Sequence, residues 1–317
     1  MMTGYLHGYD GGVLALPPAL GWKLEYTAGV PCDSFQMECP WEGVGLDALE
    51  GAVEFTARWE GETVFRGVVD EFRLREDGGG RRLLLAGRGM AALLLDNEAE
   101  SADYGTATLE DILRDHVRPY GIQVMEGAAL PAVEGFSVAA GSSEWQVLYQ
   151  FARYYGGVTP RFDRAGRLVL TPWSDGTALV VDGTTPVTAA EYCGKRYGVL
   201  SEVLVRDRTR LALERVKNQD FLDRGGRRRM VLTMPGRSNY LAMRYRGDFQ
   251  IQRSRAREVE LELTVAEPFF AWPGELVQVA RKDCGFNGRY RVLETAVEED
   301  GDGRRTRMTL GLPEAMV

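Results

Sequence analysis

Glu76-Asp77-Gly78-Gly79-Gly80-Arg81-Arg82 returns near the other end of the chain as Glu299-Asp300-Gly301-Asp302-Gly303-Arg304-Arg305, six of seven positions identical at an offset of 223 residues. Each copy lies between two segments of extended character. Val64–Arg75 and Arg81–Gly87 flank the first, and Arg289–Glu298 and Thr306–Leu310 flank the second. Val69 and Val292 fall in the same register, as do Glu71 and Glu294. Glycine turns such a tip because it reaches positive φ without steric cost, and the flanking charges hold the tip in water. Two explanations fit the repeat. Exposed hairpin tips drift toward Asp, Gly and Arg, or the chain holds two copies of one β-module, one near each end.

Around the first copy, Trp22–Tyr26, Ser34–Cys39, Ala52–Trp59, Thr63–Arg75 and Arg81–Gly87 mix β-branched or aromatic residues with polar alternation and read as strands. Their breaks carry Gly, Pro and Asp, at Ala28-Gly29-Val30-Pro31, Glu60-Gly61 and Asp77-Gly78-Gly79-Gly80. Strands so closely spaced predict a sandwich or small barrel. Residues 96–175 change character. Thr108 opens a capping-box-like start followed by the stripe Leu109, Ile112, Leu113 and Val117, which Pro119 and Gly121 end. Ser143-x-x-Gln146 opens a second helix with Trp145, Leu148, Tyr149, Ala152 and Tyr155 on one face. A hairpin then turns at Asp163-Arg164-Ala165-Gly166. This is a small α+β unit.

From residue 176 the strand signals return: Val199–Arg206, Arg208–Lys217, Met230–Met234, Glu258–Val265, Glu275–Ala280, Arg289–Glu298 and Arg304–Leu310. Residues 240–257 lack breakers apart from Gly247 and read as a polar helix. In Glu258–Val265 the apolar Val259, Leu261, Leu263 and Val265 alternate with Glu258, Glu260, Glu262 and Thr264, the pattern of a half-buried strand with a solvated carboxylate face.

Catalytic patterns are scarce. His7 and His116 are the only histidines, and His116, beside Asp115 on the first helix, reads as a solvated residue turned away from the apolar stripe. No His-Glu-x-x-His, Gly-x-Ser-x-Gly or P-loop occurs. Gly87-Arg88-Gly89-Met90-Ala91-Ala92 matches G-x-G-x-x-A, yet a dinucleotide site needs a parallel βαβ unit, and the preceding strand is already committed to a hairpin. Cys32, Cys39, Cys193 and Cys284 form no C-x-x-C pair, so zinc and redox chemistry lack their spacing and four free thiols are expected. No cofactor, metal or catalytic set is expected, and the chain reads as a non-enzyme.

The apolar content of 44% affords a sizeable core, and the net charge of −8 argues against a chain built to wrap nucleic acid. Met1–Asp10 is polar and contains glycine, so no signal peptide is expected. The longest strongly apolar stretch, Met90–Leu95, falls far short of the ~20 residues that span a bilayer, so no membrane insertion is expected. Of 38 basic residues only Lys23, Lys195, Lys217 and Lys282 are lysine. A GC-rich genome explains that bias, and arginine forks also suit polar interfaces. Charge is uneven: Arg206–Arg257 holds 14 Arg and one Lys against five acids, a net +10 that leaves −18 for the rest. Pairing of this segment with the acidic remainder, within a chain or between subunits, is the preferred reading, with Arg227, Arg228 and Arg229 as candidate interface residues. Nucleic-acid binding through the same segment is an alternative, and a peptidoglycan hydrolase another.

Three groups of residues carry a family resemblance. Phe65-Arg66-Gly67-Val68-Val69-Asp70, Leu85-Ala86-Gly87-Arg88-Gly89 and Leu93-Leu94-Leu95-Asp96 resemble the first domain of phage tail baseplate hub proteins, the late control protein D family with its prophage and tailocin relatives. Thr108–Ile122 and Ser143–Arg153 with Phe162–Leu168 resemble that family's small α/β domain. Pro273-Gly274-Glu275-Leu276-Val277 and Gly288-Arg289-Tyr290-Arg291-Val292 resemble its closing barrel strands. Residues 206–257 match least. The resemblance implies a β-dominated α+β chain of two tube-like antiparallel β-barrel domains with a small α/β domain between them. The division is 1–95, 96–175 and 176–317, the last with a basic, partly helical insertion at about 206–257. It also implies a homotrimer that adapts a sixfold tail tube to a threefold spike in the baseplate of a contractile tail. Its partners would be the tube protein, the spike or tip protein and other baseplate proteins. Assembly would take place in the bacterial host cytoplasm.

Overall fold

A computed structural model describes every residue except 29–31, 208–211, 235–238, 257, 283 and 315–317. The expected break at Gly29-Val30-Pro31, the first residues of the extended segment from position 208 and the end of the basic stretch at position 257 lie outside the described residues.

The first module holds strands β1 (Met2–Gly8), β2 (Val13–Ala15), β3 (Gly21–Thr27) and β4 (Ser34–Pro40), then a short helix α1 (Leu46–Glu50). Strands β5 (Ala52–Trp59), β6 (Glu62–Asp77) and β7 (Gly80–Gly89) complete it. Alternation sets the faces: Trp22, Leu24 and Tyr26 of β3 point into the core while Lys23 and Glu25 point out. Phe35, Phe55 and Phe65 fill the centre, with the Phe35 and Phe55 rings stacked at 4.0 Å. The sequence did not reveal β1, because Met2, Gly4 and Leu6 on its buried face are too mixed to read as an apolar alternation.

The middle unit opens with helix α2 (Ala92–Leu95) and contains β8 (Ala102–Ala107), α3 (Leu109–His116) and β9 (Val133–Val138). It continues with α4 (Glu144–Tyr149), which runs into a π-helical turn over Gln150–Tyr155, and ends in the short pair β10 (Arg161–Phe162) and β11 (Leu168–Val169). Both expected capping boxes form: Thr108 with Asp111 starts α3, and Ser143 with Gln146 starts α4. The apolar faces of these helices meet over Ile112, Leu148 and Phe151.

The remainder contributes β12 (Leu179–Asp182) and β13 (Val187–Gly194), then a separate three-stranded sheet of β14 (Glu202–Arg206), β15 (Leu213–Lys217) and β16 (Arg229–Thr233). Helices α5 (Gln219–Asp223) and α6 (Tyr240–Arg255) belong to this basic insertion. Strands β17 (Val259–Val265), β18 (Leu276–Ala280), β19 (Gly288–Asp300) and β20 (Gly303–Gly311) follow. The insertion has its own core of Val203, Val205, Val216, Met243 and Ile251. Gly247 lets α6 lie against the sheet, since a Cβ there would stand 2.5 Å from the Val216 side chain.

The β-content is dominated by one 13-stranded, mainly antiparallel sheet in the order β13-β17-β20-β19-β3-β4-β7-β6-β5-β1-β2, with β18 and β12 branching from β19. The order β3-β4-β7-β6-β5 in the first module matches β13-β17-β20-β19-β18 in the second. Register repeats as well: Gly87 faces Val69 and Leu310 faces Val292, and each hairpin shifts register immediately after that valine. The repeated turn is thus embedded in a repeated topology. The two modules are not separate. Residues Trp22–Thr27 of β3 pair with Glu294–Glu299 of β19, so the sheet runs from one into the other. Among the described residues these pairings form an open path rather than two closed barrels. No described helix is long and apolar enough to cross a membrane.

Candidate functional site

The G-x-G-x-x-A motif is a strand crossing. Gly87 and Gly89 sit in β7, antiparallel to β6, and the helix after them has only four residues. A Cβ on Gly87 would lie 2.0 Å from the Val68 carbonyl oxygen, and one on Gly67 would lie 2.0 Å from that of Arg88. Glycine is required for the approach of two backbones, with no phosphate needed to explain it. Arg88 between them reaches Asp70 and Asp96 through four hydrogen bonds of 2.7–3.0 Å, which tie the module to the start of the middle unit.

His116 departs from its expected solvated position. It is buried, with Nδ1 2.6 Å from Glu144 Oε2 and Nε2 3.0 Å from the Tyr104 hydroxyl. The N-terminus of α4 packs over this face of α3, a tertiary contact that helical periodicity alone does not report. Tyr120 donates to Glu144 Oε1 at 2.9 Å and Tyr104 donates to Asp115 at 3.0 Å. Burial and the Asp115 contact push the Tyr104 phenol up to about 12. A phenol held neutral, with its proton committed to a carboxylate, is a poor nucleophile, and the cluster works as a clasp between α3 and α4. The carboxylates expected to line a solvated strand face at Glu258–Glu262 depart likewise, Glu258 lying just before β17. Glu258 and Glu260 are buried and paired, with Arg224 and with Lys195 respectively, while Glu262 remains exposed. Arginines and a lysine arriving from the insertion and the loop after β13 cover a face that alternation alone marks as solvated.

Where the three units meet, a cleft of about 320 Å³ is lined by Asp33, Trp145, Arg164, Trp173, Trp272 and Glu275 among others. The Arg164 guanidinium lies 4.6 Å from the Trp272 ring centroid. Burial pushes the Asp33 carboxyl up to about 6 and raises that of Glu275. Each accepts a backbone N–H, from Thr27 and Trp272 respectively, so both are spent on fixing loops at the junction. Among the described residues no group of three or more His, Cys, Asp or Glu is placed to hold a metal ion. The cysteines are free thiols, and burial pushes that of Cys39 up to about 11.

Of the candidate interface arginines, Arg227 and Arg228 lie between α5 and β16, and Arg229 is the first residue of β16. Arg227 donates to the carbonyls of Leu222 and Gly226 at 3.1 and 2.8 Å, Arg228 lies 5.3 Å over the exposed Tyr197 ring, and Arg229 pairs with Glu202. Other basic residues of the insertion pair with acids in the chain: Arg224 and Arg255 with Glu258, Arg215 with Glu202, and Arg244 with Asp248. A further pin joins the insertion to the middle unit, where the buried Arg153 lies 4.7 Å over Phe249 of α6. Sequence reading missed the strand edges. Among the described residues the outer edge of β13 and the distal half of β6, Glu71–Asp77, have no strand partner on one side. Composition carries no mark of an open edge, although the 223-residue offset points to it once the topology is drawn.

Comparison with known proteins agrees with the sequence reading. Residues 91–172 match the family model for the second domain of the baseplate hub protein gp44-like. No curated protein matches the chain. Among solved structures, the tail protein from Neisseria meningitidis MC58 is 18% identical, with a TM-score of 0.77 over 99% of both chains. The 43 kDa tail protein of prophage MuSo2 from Shewanella oneidensis is 20% identical, with a TM-score of 0.75 over 99% of this chain and 100% of that one. The Escherichia coli c3393 protein, a type VI secretion system component, is 13% identical, with a TM-score of 0.59 over 93% of this chain and 73% of that one. Residues 91–172 thus resemble a baseplate hub domain, and nearly the whole chain shares its fold with tail proteins.

Proposed function

We propose that the chain is the structural baseplate hub of a phage or phage-like contractile tail, a homotrimer that adapts a sixfold tail tube to a threefold spike. One observation carries the reading: the chain holds two β-modules with the same strand order and register, bulge included. Three chains then offer six similar surfaces, which satisfy a sixfold partner without a second fold, while threefold identity is kept for the spike. The working division is 1–95, 96–175 and 176–317, with two tube-like barrels completed in the assembly. The hub acts by assembly rather than catalysis, sits in the tail particle and is put together in the host cytoplasm. Its partners are the tube protein, the spike or tip protein and other baseplate proteins, and Arg227, Arg228 and Arg229 belong to a surface that one of them covers.

Mass photometry or sedimentation of the purified chain, alone and with tube and spike proteins, tests this. A trimer in either setting supports the reading, and a strict monomer that binds neither protein overturns it. Clearing of a peptidoglycan zymogram would replace it with a tail-associated hydrolase. Salt-dependent DNA retention, lost when Arg227, Arg228 and Arg229 are all changed to Glu, would replace it with nucleic-acid binding.

A further inference from the structure

We propose that the distal half of β6 is the docking edge for β13 of a second copy of this chain. The strands meet antiparallel in one register, with Glu71 opposite Lys195, Leu74 opposite Tyr192 and Arg75 opposite Glu191. This inference rests on the ring reading and names the seam that would close it.

The register follows from pairings inside one chain. β6 and β7 correspond to β19 and β20 at an offset of 223, and the shared register shift after Val69 and Val292 anchors that offset. Facing pairs then carry it across the sheet. Gly87 faces Phe35 and Leu310 faces Leu261, so β4 corresponds to β17. Phe35 faces Leu24 and Leu261 faces Tyr192, so β3 corresponds to β13 at an offset of 168. Within the chain, β3 lies on the distal half of β19, from Glu294 opposite Thr27 to Glu299 opposite Trp22. Applying both offsets to that ladder places Ala190–Lys195 on Glu71–Glu76. Both of those edges lack a strand partner among the described residues, whereas the equivalent edges inside the chain are paired.

Burial and charge agree with a missing neighbour. Leu24 and Val297, facing across the internal seam, are 1% and 0% exposed. Their counterparts Tyr192 and Leu74 are 49% exposed and half-buried. β13 is exposed along both faces, unlike β3, whose Trp22, Leu24 and Tyr26 are covered. Arg75 would face Glu191 across the seam, an opposite-charge pair of the kind that fixes strand register. Lys195 already holds Glu260 and Glu71 already holds Arg73 within the chain, so the Arg75–Glu191 pair carries the charge argument. The contact is head-to-tail, so repetition closes a ring or extends a fibre, and closure at three copies is the ring already proposed. Bare strand edges otherwise invite uncontrolled pairing, which a second copy would prevent.

The test uses the native thiol of Cys193, which the register sets opposite Arg73. Directly opposed antiparallel residues lie about 4.5–5.5 Å apart at Cα, within disulfide reach. In the full chain, Arg73→Cys under mild oxidation should give intermolecular disulfides that end at a covalent trimer on a non-reducing gel. Adding Cys193→Ser should abolish them, and Glu76→Cys, three residues along, should not form them. As a second measurement, Arg75→Glu should weaken self-association roughly tenfold or more, and Glu191→Arg in the same chain should restore it. A trimer by mass photometry that neither crosslinks nor responds to the charge swap overturns the seam and leaves the ring reading standing. A monomer in the presence of tube and spike proteins overturns both.

Discussion

Trp22 and Glu299 stand 277 residues apart, and the indole Nε1 of one donates to Oε2 of the other at 3.1 Å. The bond closes the last rung of the β3–β19 ladder, and it places the repeated turn of the second module directly beside the first. The ladder makes one sheet of two modules. Leu24 at its centre is buried against Val297. Leu24→Ala should therefore cost 2–5 kcal/mol. Calorimetry should still show the two β-modules melting together in one transition, because the strand removed from order belongs to both. Two separated transitions in the unmodified chain would show that the ladder does not couple them.

Local signals were legible because they need no partner. Ala52–Trp59 is the strand its alternation describes, and Thr108 and Ser143 cap the helices their capping boxes describe. The polar helix read over residues 240–257 spans Tyr240–Arg255. Tertiary contacts were not legible. His116 looked solvated because its cover, Glu144, lies 28 residues away. Glu258 and Glu260 looked like a wet face because Arg224 and Lys195 come from other segments. The join of β3 to β19 leaves no mark in either strand's composition, since a strand buried on one edge reads like a strand with that edge open.

The glycines at the β6–β7 crossing should tolerate nothing larger. In Gly87→Ala the new methyl would meet the Val68 carbonyl at 2.0 Å and the Phe35 ring at 2.6 Å, both held by the core. The variant should be insoluble or lose cooperative melting. Gly78→Ala at the hairpin tip is the matched control, because nothing lies within 4 Å of the added methyl and the stability change should stay within about 0.5 kcal/mol. Equal behaviour of the two variants would count against the crossing as the reason for the motif.

Glu144 anchors the clasp of the middle unit. Glu144→Ala would leave the buried His116 ring and the Tyr120 hydroxyl without the acceptor they share, at a cost of about 3 kcal/mol. Glu144→Gln keeps one carbonyl acceptor and should lose less. The variants are compared by chemical denaturation, where the slope should be unchanged and only the midpoint should fall. No difference between Ala and Gln would mean that the side chain fills space rather than holding its two partners.

Asp33 gives the chain a pH dependence of known sign. Its carboxyl is pushed up to about 6 by burial, above its ordinary value near 4, so the folded state binds the proton more tightly than the unfolded state does. The stability this provides is fully present below about pH 4 and is lost as pH rises through 6, a total of up to about 3 kcal/mol for that shift. Asp33→Asn removes the titration while keeping an oxygen that can accept the Thr27 N–H. The variant should match the unmodified chain at pH 4 and melt at a higher temperature at pH 7.5, with the gap opening between pH 4 and 6. Glu275, also raised by burial in the same cleft, stays in both proteins and cancels in the difference. A difference curve that is flat across this range, or that opens toward acid, would mean the Asp33 carboxyl is ionised at low cost in the folded chain.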